Sequence, residues 1–263
     1  MRSLLYLAVS FLASVAGAIC GIGGGVIVKP TLDLFGWDSV ATVSFLSGCM
    51  VLSMSCYSVG KSLLAREHLV DLRSGTPLAI GAAVGGIVGK QLFQYIKALF
   101  ENPNTVGAVQ AACLTLLTVG TLFYTVFKAK ITPHRVHGTP AYLLIGLLLG
   151  IFSSFLGIGG GPINLVVLHF FFAMETKTAA ANSLYIILFS QLASLVSTLA
   201  TRTVPPFDLP ILLLMVAGGL LGSIIGRLVN KRIESRAVDK LFIGMMAVII
   251  GISVYNGIRY SML

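Results

Sequence analysis

The chain has 263 residues, of which 56% are apolar and only 10% are charged, and its formal net charge is +9. A soluble domain carries about 25% charged residues, so this composition excludes a soluble enzyme or binding domain and indicates an integral membrane protein. The apolar runs are too long and too uniform for an outer-membrane barrel, so helices are the expected spanning elements. Because the basic residues gather in short loops, the positive charge indicates membrane orientation, and no nucleic-acid partner is expected.

Five helical segments are predicted in each half of the chain. Those of the first half lie at 3–19, 25–36, 39–60, 74–97 and 105–127, and those of the second half lie at 140–156, 162–173, 177–200, 208–229 and 238–258. A helix needs about 20 residues to span a bilayer, so the second segment of each half is too short to cross it. The expected fold is therefore an all-α polytopic membrane protein, in which each half is a broken, re-entrant-like hairpin followed by three transmembrane helices.

An internal repeat is marked by the pentapeptide Gly-Ile-Gly-Gly-Gly, which occurs at 21–25 and again at 157–161. Triple glycine breaks a helix, because glycine loses much backbone freedom on folding and offers no side chain for packing. Further matches at offsets of 136 or 137 residues pair Ser47 with Ser183, Asp71 with Asp208, Gly81 with Gly218, Gly85 with Gly222, and Lys90 with Arg227. We therefore predict a first transmembrane repeat at 1–127, a cytoplasmic linker at 128–139 and a second repeat at 140–263.

The distribution of basic residues between loops predicts the topology. Lys and Arg are most frequent in the loops 61–73 (which includes Arg66), 128–137 and 227–240, whereas the loops 97–104 and 200–207 hold one basic residue each. Placing the three basic loops in the cytoplasm suits every intervening helix. Each half has a hairpin and three full spans, which is an odd number of crossings, so the two repeats lie upside down relative to each other. We expect a plasma (inner) membrane protein with both termini extracytoplasmic. Inverted repeats with broken helices are typical of secondary transporters, which bind their substrate near the midplane.

The glycine runs are the first candidate substrate site. The predicted binding residues are Gly23, Gly24 and Gly25 in the first run, and Gly159, Gly160 and Gly161 in the second. A half-helix that begins after either run directs unpaired N–H groups and its positive dipole end into the protein, which favours a bound anion. The alternative is close packing of helices, which small residues permit in membranes.

Lys29 is the second candidate, because an ionisable residue at membrane depth is costly and indicates function. It lies in the first half-helix, near the positive end of the helix dipole, where a bound anion would compensate its charge. Asp33 follows at i+4, so the alternative is an ion pair between Lys29 and Asp33.

Polar residues in otherwise apolar segments complete the predicted substrate site. They are Asn164 in the second half-helix, Ser44 and Ser47 in the third segment, and Asn182, Ser183 and Gln191 in the eighth. The alternative for the hydroxyl groups is a hydrogen bond to the backbone of their own helix. No metal-ligand spacing and no catalytic motif is present in the sequence, so we expect no cofactor, no metal and no enzyme activity.

Both glycine runs stand in hairpin sequences, which read AGAICGIGGGVIVKPTLD and SSFLGIGGGPINLVVL. These paired hairpins resemble the sulfite exporter TauE/SafE family, and the resemblance covers essentially the whole chain. It implies an inner-membrane permease for sulfite, organosulfonates or other organosulfur anions. We therefore expect a secondary transporter that exports a small sulfur-containing anion by alternating access, with the anion held near the half-helix N-termini.

Other functions and partners stay open at this point. An anion channel would have the same helices, and a membrane-embedded enzyme or accessory subunit would not transport. The negative-inside potential favours export of an anion, and no carboxylate pair for a coupling cation is evident in the sequence. The expected partners are the small anion and the lipid bilayer, and a homodimer is a further option.

Overall fold

A computed structural model describes residues 2–65, 69–100 and 103–262, and these ranges contain no strand. The helices are α1 (Arg2–Cys20), α2 (Gly25–Phe35), α3 (Val40–Leu64), α4 (Leu72–Leu99), α5 (Pro103–Phe127), α6 (Thr139–Leu156), α7 (Gly161–Phe172), α8 (Thr176–Ala200), α9 (Leu209–Arg232) and α10 (Ser235–Met262). The predicted all-α polytopic fold is therefore confirmed. Arg66, counted above among the basic loop residues, lies outside the described ranges.

Eight of the described helices are long and apolar enough to cross a membrane, namely all except α2 and α7. The latter two have 11 and 12 residues. At about 1.5 Å per residue neither can span the roughly 30 Å hydrocarbon core of a bilayer. Large apolar side chains such as Leu4, Leu116 and Phe123 point away from the bundle, where a membrane protein meets lipid.

Each short helix returns the chain to the end of the bundle where the preceding helix begins. In the first hairpin, the Arg2 guanidinium at the start of α1 lies 2.7 Å from the Asp38 carboxylate just after α2, and the Tyr6 hydroxyl also donates to Asp38. In the second hairpin, the Val136 N–H before α6 donates to the Phe171 carbonyl at the end of α7 over 2.9 Å. The glycine runs are therefore the tips of two broken hairpins.

The two halves of the chain interlock through their first helices. Helix α6 packs on α4 of the first half, and α1 packs on α9 of the second. A Cβ built at Gly85 of α4 would lie 2.1 Å from the Leu147 carbonyl oxygen, and one built at Gly222 of α9 would lie 2.4 Å from the Phe11 carbonyl oxygen. Only glycine permits this approach of two helix backbones. Since these positions are equivalent in the repeat, the same contact is made twice with the halves exchanged.

Candidate functional site

The two hairpin tips adopt matching backbone conformations. Gly21 and Gly23 have φ angles of 73° and 70°, and their repeat equivalents Gly157 and Gly159 have 66° and 83°. Side chains with a Cβ rarely adopt this left-handed region, so the glycines are required by the turns themselves. The repeated pentapeptide thus encodes one tip geometry twice.

The tips touch each other directly at the centre of the bundle. A Cβ built at Gly161 would lie 1.7 Å from the Ile22 carbonyl oxygen, and one built at Gly25 would lie 2.7 Å from the Ile158 carbonyl oxygen. Each half-helix therefore begins beside a carbonyl of the opposite tip. A carbonyl oxygen carries partial negative charge, so it complements the positive end of the helix dipole. In this conformation, protein backbone occupies the place that we expected an anion to take.

Two apolar side chains, Val51 of α3 and Ile187 of α8, flank the touching tips. A Cβ built at Gly159 would lie 3.0 Å from Val51 Cγ1 and 3.4 Å from Ile187 Cγ2, and one at Gly23 would lie 3.4 Å from Val51 Cγ1. Val51 and Ile187 are repeat equivalents, and both are fully buried. The centre of the bundle is therefore closed by backbone and aliphatic side chains.

A cavity lies on one side of this closed centre, between α3, α4, α6 and α8, and we name it the Lys90 cavity. Its lining includes Gly157 and the aromatic rings of Phe45 and Phe93. The polar side chains that line it are Ser44, Lys90, Ser154, Gln191, Ser194 and Thr198. Two residues predicted from the sequence, Ser44 and Gln191, are thus brought together here.

A second cavity, the Arg227 cavity, is the repeat equivalent of the first. Its lining includes Ala18, Ser58, Ser62, Ala180, Arg227 and the two lysines Lys177 and Lys231. Applying the repeat offsets pairs Ser154 with Ala18, Ser194 with Ser58, Thr198 with Ser62, Ser44 with Ala180, and Lys90 with Arg227. Lys90 of α4 and Arg227 of α9 therefore line the two cavities at equivalent places.

The cavities lie at opposite ends of α3 and α8. The Lys90 cavity is lined by residues 44–49 of α3 and 191–198 of α8, whereas the Arg227 cavity is lined by 58–62 and 177–184. The two helices therefore run in opposite directions past each other. At 1.5 Å per residue, the cavities are separated by about 20 Å along α3. The closed centre lies between them.

Other predicted site residues are buried with unsatisfied polar atoms. The hydroxyls of Ser47 and Ser183, which are repeat equivalents on α3 and α8, have no hydrogen-bond partner within the described ranges. The same holds for both side-chain polar atoms of Asn164 on α7, although the residue is only 1% exposed. Buried polar groups normally have partners, so these three residues are available to a ligand or to water.

Asn182 differs, because its amide is fully engaged by the protein backbone. Its Nδ2 donates to the carbonyls of Leu69 and Thr178, each over 2.9 Å, and its Oδ1 accepts from the Asp71 N–H over 3.1 Å. The side chain thus fixes the connection between α3 and α4 to helix α8. In this conformation Asn182 has a structural role and does not offer its amide to a substrate.

Lys29 is likewise engaged within the protein. Its Nζ lies 2.8 Å from Asp33 Oδ2, which is the ion pair weighed above as the alternative to a substrate contact. The pair lines a separate small cavity with Gln110 and Asn256. Lys29 therefore does not line the Lys90 cavity, and its charge is paired with Asp33.

From the sequence, Lys90 was noted only for its match with Arg227, and neither Ser154 nor Ser194 was predicted as a site residue. A signal for Lys90 was present, because a lysine within an apolar segment is costly in a membrane. The serines carried no such signal, since a hydroxyl within a helix readily bonds to its own backbone.

Comparison with known proteins agrees with this architecture. The family model described as sulfite exporter TauE/SafE matches residues 6–253. The probable membrane transporter protein YunE of Bacillus subtilis is 23% identical over 98% of this chain and 99% of its own length. A probable membrane transporter protein of Methanocaldococcus jannaschii is 23% identical over 88% of each chain. No solved structure gives a significant match. The chain belongs to the sulfite exporter TauE/SafE family of membrane transporters.

Proposed function

We propose that the protein is a secondary transporter that carries a small sulfur-containing anion, such as sulfite or an organosulfonate, by alternating access. The observation that supports this most strongly is the pair of repeat-related cavities on opposite sides of a closed centre. Such a transporter needs two access routes to one central region, one from each face of the membrane. The central region must never be open to both faces at the same time. The Lys90 and Arg227 cavities have the arrangement that this mechanism requires.

The hairpin tips are the moving parts in this proposal. Because the two repeats make equivalent contacts, exchanging their conformations gives a second state of similar energy in which the other cavity opens. When a tip carbonyl leaves the start of the opposite half-helix, the N–H groups there become available to an anion. The transported anion then passes the glycines of both tips and the unsatisfied polar groups of Ser47, Ser183 and Asn164.

In this proposal the two cavities open to opposite faces of the membrane, and the basic loops support the choice of face. With the basic loops in the cytoplasm, α3 begins at the outer face, so the Lys90 cavity opens outwards and the Arg227 cavity opens inwards. Both termini are then extracytoplasmic. A negative-inside potential drives an anion outwards with about 2.3 kcal/mol per charge for each 100 mV, so export requires no coupled cation.

The test is transport by the purified protein in proteoliposomes, with sulfite, sulfoacetate, taurine, thiosulfate and sulfate supplied separately. We expect saturable flux of at least one sulfur oxyanion, with faster uptake when the same anion is preloaded inside the vesicle. Protein-free vesicles with the same imposed potential give the background leak. Flux that neither saturates nor responds to preloading would identify a channel, and folded protein without flux of any of the five compounds would contradict the proposal.

A further inference from the structure

We propose that Lys90, together with the hydroxyls of Ser44 and Ser154, forms an oxyanion-binding site in the Lys90 cavity. The identity of the bound anion rests on the proposed function. The unpaired charge and the unsatisfied donors that form the site do not depend on it. Lys90 lies on α4, Ser44 on α3 and Ser154 on α6, so three helices contribute.

Lys90 is a buried cation without a protein anion. The residue is only 8% exposed. Within the described part of the chain, its ammonium makes no ion pair and no hydrogen bond. Its ammonium lies 5.3 Å from the centre of the Phe93 ring, a contact that compensates a charge only in part. Lys97, two turns further along the same helix, and the Cys49 thiol, which lines the same cavity, are not anions at neutral pH and cannot balance its charge.

Four carboxylates within the described part of the chain are engaged away from Lys90. Asp33 pairs with Lys29, Asp38 with Arg2 and Asp239 with Lys128. Asp71 caps the first turn of α4, at the other end of that helix from Lys90. A buried charge is costly unless it is paired, so the arrangement around Lys90 is incomplete without an anion.

Two hydroxyls face the same cavity without partners. The oxygens of Ser44 and Ser154 are buried, and neither has a hydrogen-bond partner among the described residues. Gln191 adds an amide from α8, which donates to Ser153 over 3.1 Å and retains a second N–H. Sulfite, sulfate and sulfonate present several acceptor oxygens on one centre, and they suit an ammonium surrounded by O–H and N–H donors.

The Arg227 cavity is the repeat equivalent, but it lacks the two hydroxyls that accompany Lys90. The Arg227 guanidinium already donates to the Ser58 carbonyl over 2.9 Å. Ala180 and Ala18 stand where the first cavity has Ser44 and Ser154, so methyl groups replace the hydroxyl donors. The hydroxyls of Ser44 and Ser154 therefore have no equivalent in the Arg227 cavity, and their arrangement around a buried lysine is specific to the Lys90 side.

Cavity size limits the bound group. The volume open to the centre of a water-sized sphere is 20 Å³ in the Lys90 cavity. A single water needs about 10–15 Å³ by the same measure, so the cavity in this conformation is slightly larger than one water. A sulfur oxyanion has four or more heavy atoms, so the cavity must widen to admit one, and its small size favours a compact oxyanion or the charged head of a short sulfonate over a bulky ion.

The experiment is thermal unfolding of the detergent-purified protein at constant ionic strength, with sodium gluconate as the reference salt. Sulfite, sulfate, methanesulfonate and chloride are titrated separately into wild type, Lys90→Met and the control variant Lys97→Met. Lys97 lies on the same helix and is exposed, so the Lys97→Met variant loses an equal charge outside the cavity. We expect an oxyanion to stabilise wild type and Lys97→Met, and Lys90→Met to weaken the apparent affinity at least tenfold.

The unfolding temperature in gluconate provides a second readout. Lys90→Met is expected to melt no lower than wild type, because it removes an unpaired buried charge. The double variant Ser44→Ala/Ser154→Ala keeps the charge and tests the donors, and we expect it to weaken oxyanion binding while leaving the unfolding temperature in gluconate nearly unchanged. Chloride stabilisation equal to that by oxyanions would overturn the oxyanion assignment.

The outcomes separate this site from the transport proposal. If wild type carries a sulfur anion and Lys90→Met carries it with unchanged affinity, the site is overturned and the transport function stands. If oxyanions bind in a Lys90-dependent manner but cross no membrane, the site stands and the transport function fails. A wild-type protein that none of the oxyanions stabilises also overturns the site.

Discussion

Lys29 Nζ lies 2.8 Å from Asp33 Oδ2, one turn further along α2, and each side chain is only 5% exposed. The two charges cancel within the protein, so Lys29 contributes little net positive potential for a substrate. Lys90 has no such partner in the described ranges. Of these two buried lysines, Lys90, which has no carboxylate partner among the described residues, is the better candidate for an anion contact.

The first prediction concerns this ion pair. Lys29→Met leaves the Asp33 carboxylate buried and unpaired, which we expect to lower the free energy of unfolding by roughly 3–5 kcal/mol. Lys29→Met/Asp33→Asn removes both charges and should recover most of that loss. Thermal unfolding in detergent without added anion measures both effects. A stable Lys29→Met protein that no longer responds to sulfite would instead make Lys29 the counter-ion of the substrate.

The second prediction concerns the contact between the tips. Gly161→Ala would place a methyl group 1.7 Å from the Ile22 carbonyl oxygen. Backbone must move to relieve this overlap, so we expect a destabilisation above the roughly 1–3 kcal/mol of ordinary overpacking, together with loss of flux. Gly60→Ala is the control, because a Cβ at Gly60 meets no atom within 4 Å. It should stabilise α3 by about 0.5–1 kcal/mol and leave transport intact. Equal behaviour of the two variants would contradict the tip contact.

Much of the fold could be predicted because it depends on local composition. The lengths of the apolar runs determine which helices can span a bilayer, and the glycine runs determine where two of them break. All ten segments therefore appear within a few residues of their predicted positions. The pairing of Gly85 with Leu147 and of Gly222 with Phe11 joins distant parts of the chain, and no local pattern indicates it.

The site was harder to predict because its chemistry depends on which distant group satisfies each polar atom. Asn182 and Ser183 are adjacent in sequence and equally buried, yet only the Asn182 amide meets the backbone at Leu69 and Asp71. Lys29 and Lys90 are both lysines within apolar segments, and they differ only in having a carboxylate within reach. The sequence indicates that such residues are costly in a membrane, but the partner that offsets the cost is a property of the fold.

The third prediction separates those two neighbours on α8. Asn182→Leu introduces the residue that the first repeat has at the equivalent position, Leu46. It leaves the Asp71 N–H and the Leu69 carbonyl without their partner, so we expect a loss of about 1–3 kcal/mol in stability and an unchanged anion affinity. Ser183→Ala removes a hydroxyl that has no partner and should alter stability by less than about 0.5 kcal/mol. Flux titrations with thermal unfolding measure both variants, and reduced affinity in a fully stable Asn182→Leu protein would restore Asn182 to the binding site.

The fourth prediction concerns access to the two cavities. Thr198 and Ser62 are repeat equivalents, and they line the Lys90 and Arg227 cavities respectively. In a background without the four native cysteines, Thr198→Cys should react with an impermeant thiol reagent from the outer face and Ser62→Cys from the cytoplasmic face. His134→Cys, in the linker loop, marks the cytoplasmic face. Reaction of both cavity positions from one face would contradict the inverted arrangement of the repeats.

The last prediction concerns the barrier between the cavities. Ile187 is fully buried beside Val51 and both tips, whereas Leu192 on the same helix is 46% exposed and faces outwards. Ile187→Ala opens a void at the centre and should cost about 2–5 kcal/mol, while Ile187→Val should cost about 0.5–1.5 kcal/mol. If Ile187 seals the pathway, both variants should leak anion in proportion to the lost volume, with less stimulation by preloaded anion than wild type.

Leu192→Ala removes a side chain of similar size from the outer surface, so its flux should resemble that of wild type. Unchanged preloading stimulation in a folded Ile187→Ala protein would show that the barrier lies elsewhere.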